Sequence, residues 1–184
     1  APLRFWGNFS FALNYHLGGL NVFGFHLVNL IIHILNGFLV FWFVSLLIKS
    51  PGLKDKPYIE NPLFPLFVSF LFLVHPIQTQ AVTYIVQRYA SLATFFYLLS
   101  LTLYTKSALM RQEGKFSEIQ PGFLFYLFTS LMAALSAMFT KEISFTLPLA
   151  ILLVEIFFFS TSFKKLSLSL PFVLPFFLVQ WHHQ

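Results

Sequence analysis

The sequence contains no cysteine, which excludes disulfides, thiolate metal sites and cysteine nucleophiles, and leaves the redox compartment open. Charge is almost as scarce. Asp, Glu, Lys and Arg make up 9% of the 184 residues, as 11 basic and 6 acidic side chains. Water-soluble folds use roughly a quarter charged residues to cover their surface. A chain that is 58% hydrophobic, with 27 Phe, lacks the polar surface needed to keep its apolar side chains from water. Mean hydropathy is +0.79, and the solvent this composition suits is lipid. Also missing are a Ser/His/Asp triad, a Gly-rich phosphate loop and paired carboxylates at glycosidase spacing. Any chemistry falls to His, isolated carboxylates, Lys, Arg or amides.

The formal charge of +5 does not indicate nucleic acid, because the basic residues stand singly between apolar runs and build no basic stripe. Residue 1 is Ala, and the opening stretch is too polar and too rich in Gly and Asn for a signal-peptide core. The last residues, Trp181 to Gln184, directly follow an apolar run. The expected unit is therefore a partial multipass transmembrane domain over 1–184, truncated at both ends.

A membrane helix needs about 20 mostly apolar residues. Runs bounded by charge, Pro or Gly lie at 22–48, 62–75, 88–105, 121–140, 143–160 and 166–181. They predict an all-α, polytopic membrane helix bundle with about six transmembrane helices. The second run is short. Its helix is expected either to extend from Asn61 or to end in a cavity at the His75-Pro76 break. Alternate connections between six spans share a side. One side collects Lys49, Lys54, Lys56, Lys106, Arg111, Lys115, Lys164 and Lys165, whereas the other has only Arg4, Arg88 and Lys141. Cytoplasmic loops accumulate Lys and Arg, so 75–88 and 140–144 are expected outside, and with them the function.

Four polar constellations stand out. On the first span His26, Asn29, His33 and Asn36 occupy an arc of about 80° on one helix face. Such a stripe avoids lipid by bonding neighbouring helices or by lining a polar cavity. A metal site is disfavoured, since no carboxylate accompanies the two His. In the second constellation, Pro76 opens a helix on which Gln80, Tyr84, Gln87, Arg88 and Ser91 share one face, an arc of about 100°. Arg88 offers a planar fork suited to phosphate or carboxylate, against the plainer role of an anchor at the headgroups. The third is Lys141-Glu142, either a solvated turn or a second cation that joins Arg88 around an anion at headgroup depth, with Glu142 orienting one of them. The fourth is Glu155, a carboxylate inside an apolar run, expected to pair with Lys164 or Lys165. A general base on the outer side would have to be Glu142, His75, His16 or a residue outside this chain.

Three stretches then point to a family. RFWGNFSFALNYHLGGLNVFGFHLVNLIIH, HPIQTQAVTYIVQR and MFTKE resemble, in order, the early membrane domain of the transmembrane and tetratricopeptide-repeat-containing O-mannosyltransferases and their bacterial relatives, of the GT-C superfamily. The resemblance runs from about Arg4 to Phe159. It implies a glycosyltransferase that moves a sugar from a polyprenyl-phosphate donor to a protein or glycan acceptor at the outer membrane face. It also implies that His75 and Lys141-Glu142 line the site and that tetratricopeptide repeats follow. Relatives carry HPxHTEA where this chain has Gln78 and Gln80. The catalytic carboxylate of the family pattern would precede residue 1.

The expected donor-phosphate ligands are thus Arg88 and Lys141. The cavity is expected to be lined by His75, Gln78, Gln80, Tyr84, Glu142, His26 and Asn29. No metal ligand and no cofactor beyond the lipid-linked donor is assigned, and a divalent metal is left open. Expected partners are the bilayer, the donor and the acceptor, in a bacterial inner membrane or the endoplasmic reticulum. The alternatives are a non-enzymatic membrane anchor for the repeats and a lipid-linked sugar transporter, the latter disfavoured because only the first span carries a strong polar stripe.

Overall fold

A computed structural model describes residues 4–54, 56, 61, 63–113 and 121–159. Among these the chain is helical and has no strand. Its elements are α1 (Phe5–Gly18), α2 (Val22–Ile48), α3 (Leu63–Val74), a short α4 (Thr79–Thr83) flanked by single 3-10 turns, α5 (Arg88–Glu113), α6 (Pro121–Met138) and α7 (Leu147–Val154). A 3-10 turn (Glu142–Thr146) leads into α7, and a π-helical turn (Glu155–Phe159) follows it.

By length and composition, three helical stretches can cross a membrane: Val22–Ile48, Ile85–Gln112 and Glu142–Phe159. A fourth is available if α3 and the following Pro76–Thr83 segment, bent by 52°, act as one broken span. Gly122–Met138 is apolar but shorter. The expected sixth run, 166–181, lies outside the described residues. The expectation that Asn61 starts the second helix is met, since its Oδ1 accepts from Leu63 N–H at 2.9 Å and its carbonyl from Phe64 N–H at 2.9 Å.

Side-chain pairs fix the topology. His33 meets Leu73 and Gly37 meets Ser69, so α2 and α3 are antiparallel. Asn29 meets Tyr84 and Asn36 meets Ser91, so α2 and α5 run parallel. Ser130 Oγ donates to the Ser100 carbonyl at 2.8 Å, joining antiparallel α5 and α6. Small residues let those two backbones approach: Ala93, Ala108, Ala133, Ala134 and Ala137 are all buried. Contacts of Tyr97 with Thr146 and Tyr104 with Glu155 lay α7 parallel to α5. Helix α5 is the central post. The apolar core, built on Leu46, Leu101, Tyr104, Leu147 and Ile151, sits between α2, α5, α6 and α7. The outer faces are apolar as well, with Phe38, Phe67, Phe128, Leu149 and Phe157 all exposed. That arrangement suits lipid and not water.

Sequence reading missed α1 as a helix. Its pattern is inverted: Phe5, Phe9, Leu13 and Leu17, at four-residue spacing, are exposed, whereas Gly7 and Asn14 are buried. At 14 residues α1 is about 21 Å long, too short for a hydrocarbon core of about 30 Å.

Candidate functional site

The end of the bundle where α3 stops and α5 starts holds the unusual chemistry. The 75–88 segment is not the continuous amphipathic helix expected from its spacing. It breaks at Tyr84, which is extended with φ −96° and ψ 117°. Val82, Thr83, Ile85 and Val86 flank the break, and four β-branched residues around one position weaken a helix. The Pro76 expectation holds: His75 caps the turn, its Nδ1 accepting from Ile77 N–H at 3.2 Å.

A broken helix leaves backbone carbonyls without helical partners. The polar stripe of α2 supplies donors to three such carbonyls and to one inside α5. His33 Nε2 lies 3.1 Å from the Leu73 carbonyl, His26 Nδ1 lies 3.2 Å from the Val82 carbonyl, and Asn29 Nδ2 donates to the Tyr84 carbonyl at 3.2 Å. Asn36 Nδ2 donates to the Ser91 carbonyl at 3.1 Å. Of the two roles expected for this stripe, bonding to neighbouring segments describes all four residues, and His26 also lines a cleft. A carbonyl only accepts, so the ring proton sits on Nδ1 of His26 and on Nε2 of His33.

Arg88 closes the arrangement. Its side chain is 0% exposed. Nε donates to Asn29 Oδ1 at 2.8 Å, Nη2 to Asn14 Oδ1 at 2.9 Å and to the Phe25 carbonyl at 2.8 Å, and Nη1 to the Ser10 carbonyl at 3.3 Å. The guanidinium also lies 4.4 Å from the Phe11 ring centroid and 5.4 Å from that of Phe25. Four of its five N–H groups therefore bond to this chain. The expectation that Arg88 presents an open fork to a phosphate is corrected on this geometry: Arg88 ties α1, α2 and α5 together. Sequence reading missed the two acceptors on α1, Ser10 and Asn14. The signal available was the polar pair at four-residue spacing facing away from the Phe5, Phe9 and Leu13 stripe.

Lys141 is differently placed. It precedes the 3-10 turn that leads into α7, at the same end of the bundle as Arg88, because α5 and α6 are antiparallel across the Ser100 and Ser130 pair. It is half-buried, and among the described residues its ammonium has no hydrogen-bond or ion-pair partner. Glu142 is exposed and likewise unpaired, and the neighbouring Phe139 and Ile143 are exposed apolar residues.

A cleft of about 610 Å³ opens beside the break. It is lined by His26 from α2 and by Gln80, Thr83, Tyr84, Ile85, Val86 and Gln87 from the broken segment. Of the expected cavity residues, His26, Gln80 and Tyr84 meet at this cleft, whereas Asn29 lies behind it as a backbone-bonding residue. His75, Gln78 and Glu142 do not line it. Among the described residues no three His, Asp or Glu side chains gather as a metal site would require.

At the opposite end, Glu155 is fully buried, accepts from Tyr104 Oη at 2.8 Å and pairs with Arg111. The expected partners Lys164 and Lys165 lie outside the described residues; among the described residues the ion-pair partner is Arg111. The π-helical turn at Glu155 is the local irregularity that accompanies this pair.

No family model and no solved structure matches the chain. Curated proteins do. The chain is 35% identical over 162 residues to the human protein O-mannosyl-transferase TMTC1, covering 86% of this chain and 17% of that protein. It is 31% identical over 137 residues to Drosophila melanogaster Tmtc1, covering 74% and 13%, and 32% identical over 138 residues to human TMTC4, covering 72% and 18%. The chain therefore spans less than a fifth of the length of these relatives. Over most of its residues the chain is thus similar to the TMTC proteins, which are named as protein O-mannosyl-transferases.

Proposed function

We propose that the chain forms part of the membrane domain of a glycosyltransferase that transfers mannose from a polyprenyl-phosphate carrier to a protein hydroxyl, at the outer face of the membrane. The observation that carries the transferase reading is this similarity, since the relatives are named as protein O-mannosyl-transferases. The donor reading draws on Lys141. An unpaired, half-buried ammonium flanked by exposed Phe139 and Ile143 offers one point charge for a phosphate and adjacent apolar surface for an isoprenoid tail. Orientation draws on the charge split: Lys49, Lys54 and Lys106 lie toward one end of the bundle, with Lys141 and the cleft at the other.

In the reaction, the acceptor hydroxyl oxygen attacks the anomeric carbon, the bond from that carbon to the phosphate oxygen breaks, and negative charge develops on the departing phosphate. An ammonium held beside that oxygen stabilises the charge as it forms. Arg88 acts at one remove, holding α1 and α2 against the start of α5. The hydroxyl proton needs a base. In the family pattern this is a carboxylate preceding the matched region, so none of the described side chains is assigned the role.

The test uses the full-length protein in proteoliposomes with labelled polyprenyl-phosphate mannose and a protein acceptor. Lys141→Ala is expected to cut transfer at least tenfold at unchanged expression, and Lys141→Arg to retain part of it. Equal transfer by Lys141→Ala removes Lys141 from the donor site. No transfer by the unmodified protein, with donor and acceptor intact, leaves the non-enzymatic anchor as the better reading.

A further inference from the structure

The cleft beside Tyr84 carries chemistry that the phosphate site does not use. Its lining holds no Asp, Glu, Lys or Arg: His26, Gln80, Thr83, Tyr84 and Gln87 stand beside the apolar Ile85 and Val86. The nearest fixed cation in sequence, Arg88, is locked into four internal hydrogen bonds and cannot turn outward without orphaning them. An anionic ligand therefore has nothing to pair with here. The polar groups are instead two-way groups. The Gln80 and Gln87 amides each offer donors and an acceptor, and neither has a partner among the described residues. His26 has its proton fixed on Nδ1 by the Val82 carbonyl, which leaves the Nε2 lone pair as an acceptor for a ligand hydroxyl. Beside them Tyr84 is 60% exposed although its backbone is pinned through its carbonyl by Asn29.

A flat aromatic face, unpaired amides and a bare imidazole acceptor, without charge, fit a ligand with hydroxyls around its edge and C–H groups on its face. The volume lies within the usual range for small-molecule sites. We infer that this cleft binds a pyranose ring, stacked on Tyr84 and hydrogen-bonded by His26 Nε2, Gln80 and Gln87. The inference rests on the glycosyltransferase reading above for the source of the ring: the donor's sugar, or a sugar already present on the acceptor.

The test has a binding arm and a turnover arm, both on the full-length protein in nanodiscs. Saturation-transfer NMR with methyl α-mannopyranoside is expected to show a ring-proton signal that falls at least fivefold in Tyr84→Ala and persists in Tyr84→Trp. Because Tyr84 is exposed and its backbone bonds remain, a matching elution profile identifies a folded variant. In the turnover arm, Tyr84→Ala is expected to raise one KM about tenfold with little change in kcat. A raised donor KM identifies the donor's sugar as the ring, and a raised KM for glycosylated acceptor only identifies the acceptor's. A mannoside signal that is absent in the unmodified protein, or equal in Tyr84→Ala, overturns the inference even if transfer proceeds. A signal that depends on Tyr84, without any transfer by the unmodified protein, keeps the sugar site and removes the transferase reading instead.

Discussion

Replacing Arg88 by Ala separates its structural role from a phosphate-binding one. On α1 the guanidinium holds the Ser10 carbonyl at 3.3 Å, Asn14 Oδ1 at 2.9 Å and the Phe11 ring at 4.4 Å. Hydrogen bonds to a charged group contribute about 1.5–3 kcal/mol each, and a desolvated cation–π contact about 1–2. The longer bond to Ser10 belongs at the low end. The total anchoring of α1 through Arg88 is then about 4 kcal/mol. Other ties survive the substitution, among them Tyr89 Oη donating to Asn8 Oδ1 at 2.6 Å and the Trp6 ring against Phe96, so α1 loosens without detaching. If roughly 3 kcal/mol of the anchoring is lost to local opening, amide exchange over residues 5–18 accelerates about hundredfold, at about 1.4 kcal/mol per factor of ten. Hydrogen exchange read by mass spectrometry on peptides from α1, with α6 as internal reference, measures this directly. Arg88→Lys, with a single point of attachment, is expected to fall about halfway. Protection of α1 unchanged within threefold in a folded Arg88→Ala protein would refute the reasoning and return Arg88 to the ligand.

At the opposite end, Glu155 is buried and its partner Arg111 partly exposed, so Glu155→Ala strands a charge that keeps some access to solvent and is expected to destabilise the protein by about 3 kcal/mol, the low end for such pairs. A thermal melt followed by size-exclusion fluorescence reads this, and the double variant Arg111→Met with Glu155→Leu is expected to melt above either single Ala variant. Gly37 lets α3 approach α2, and a Cβ there would lie 2.6 Å from Leu73 Cδ2, so Gly37→Ala is expected to lower the same melting temperature by the equivalent of about 1–3 kcal/mol. Asn29→Ala leaves the buried Arg88 Nε and the Tyr84 carbonyl each short of a partner, and is expected to cost about 2–3 kcal/mol, whereas Gln80→Ala on the exposed cleft rim leaves the melt unchanged.

The helical membrane fold was legible because lipid imposes a length and a polarity rule on every span. The stripe of His26, Asn29, His33 and Asn36 was legible for a related reason, as helical periodicity places those residues on one face whatever they touch. What they touch was not legible. Their partners are backbone carbonyls, which carry no sequence signature: those of Val82 and Tyr84 at a helix break, of Leu73 at the end of α3 and of Ser91 inside α5. The same limit explains Glu155, since local spacing suggested lysines about ten residues on while the fold brought Arg111 across from a parallel helix. Arg88 stands out in the sequence, but a lone arginine near a membrane surface reads alike as ligand or as clamp. Only the two acceptors on α1, 74 and 78 residues earlier, decide between them.

That long reach has a consequence for how the protein is made. Synthesis runs from the amino end, so the acceptors on the first two helices leave the ribosome well before the arginine that will join them. During that interval Asn14 and Asn29 must be served by water or by temporary neighbours, and the first helix has no permanent seat. Assembly of this end of the molecule is thus completed late, by the arrival of one side chain at the head of the central post.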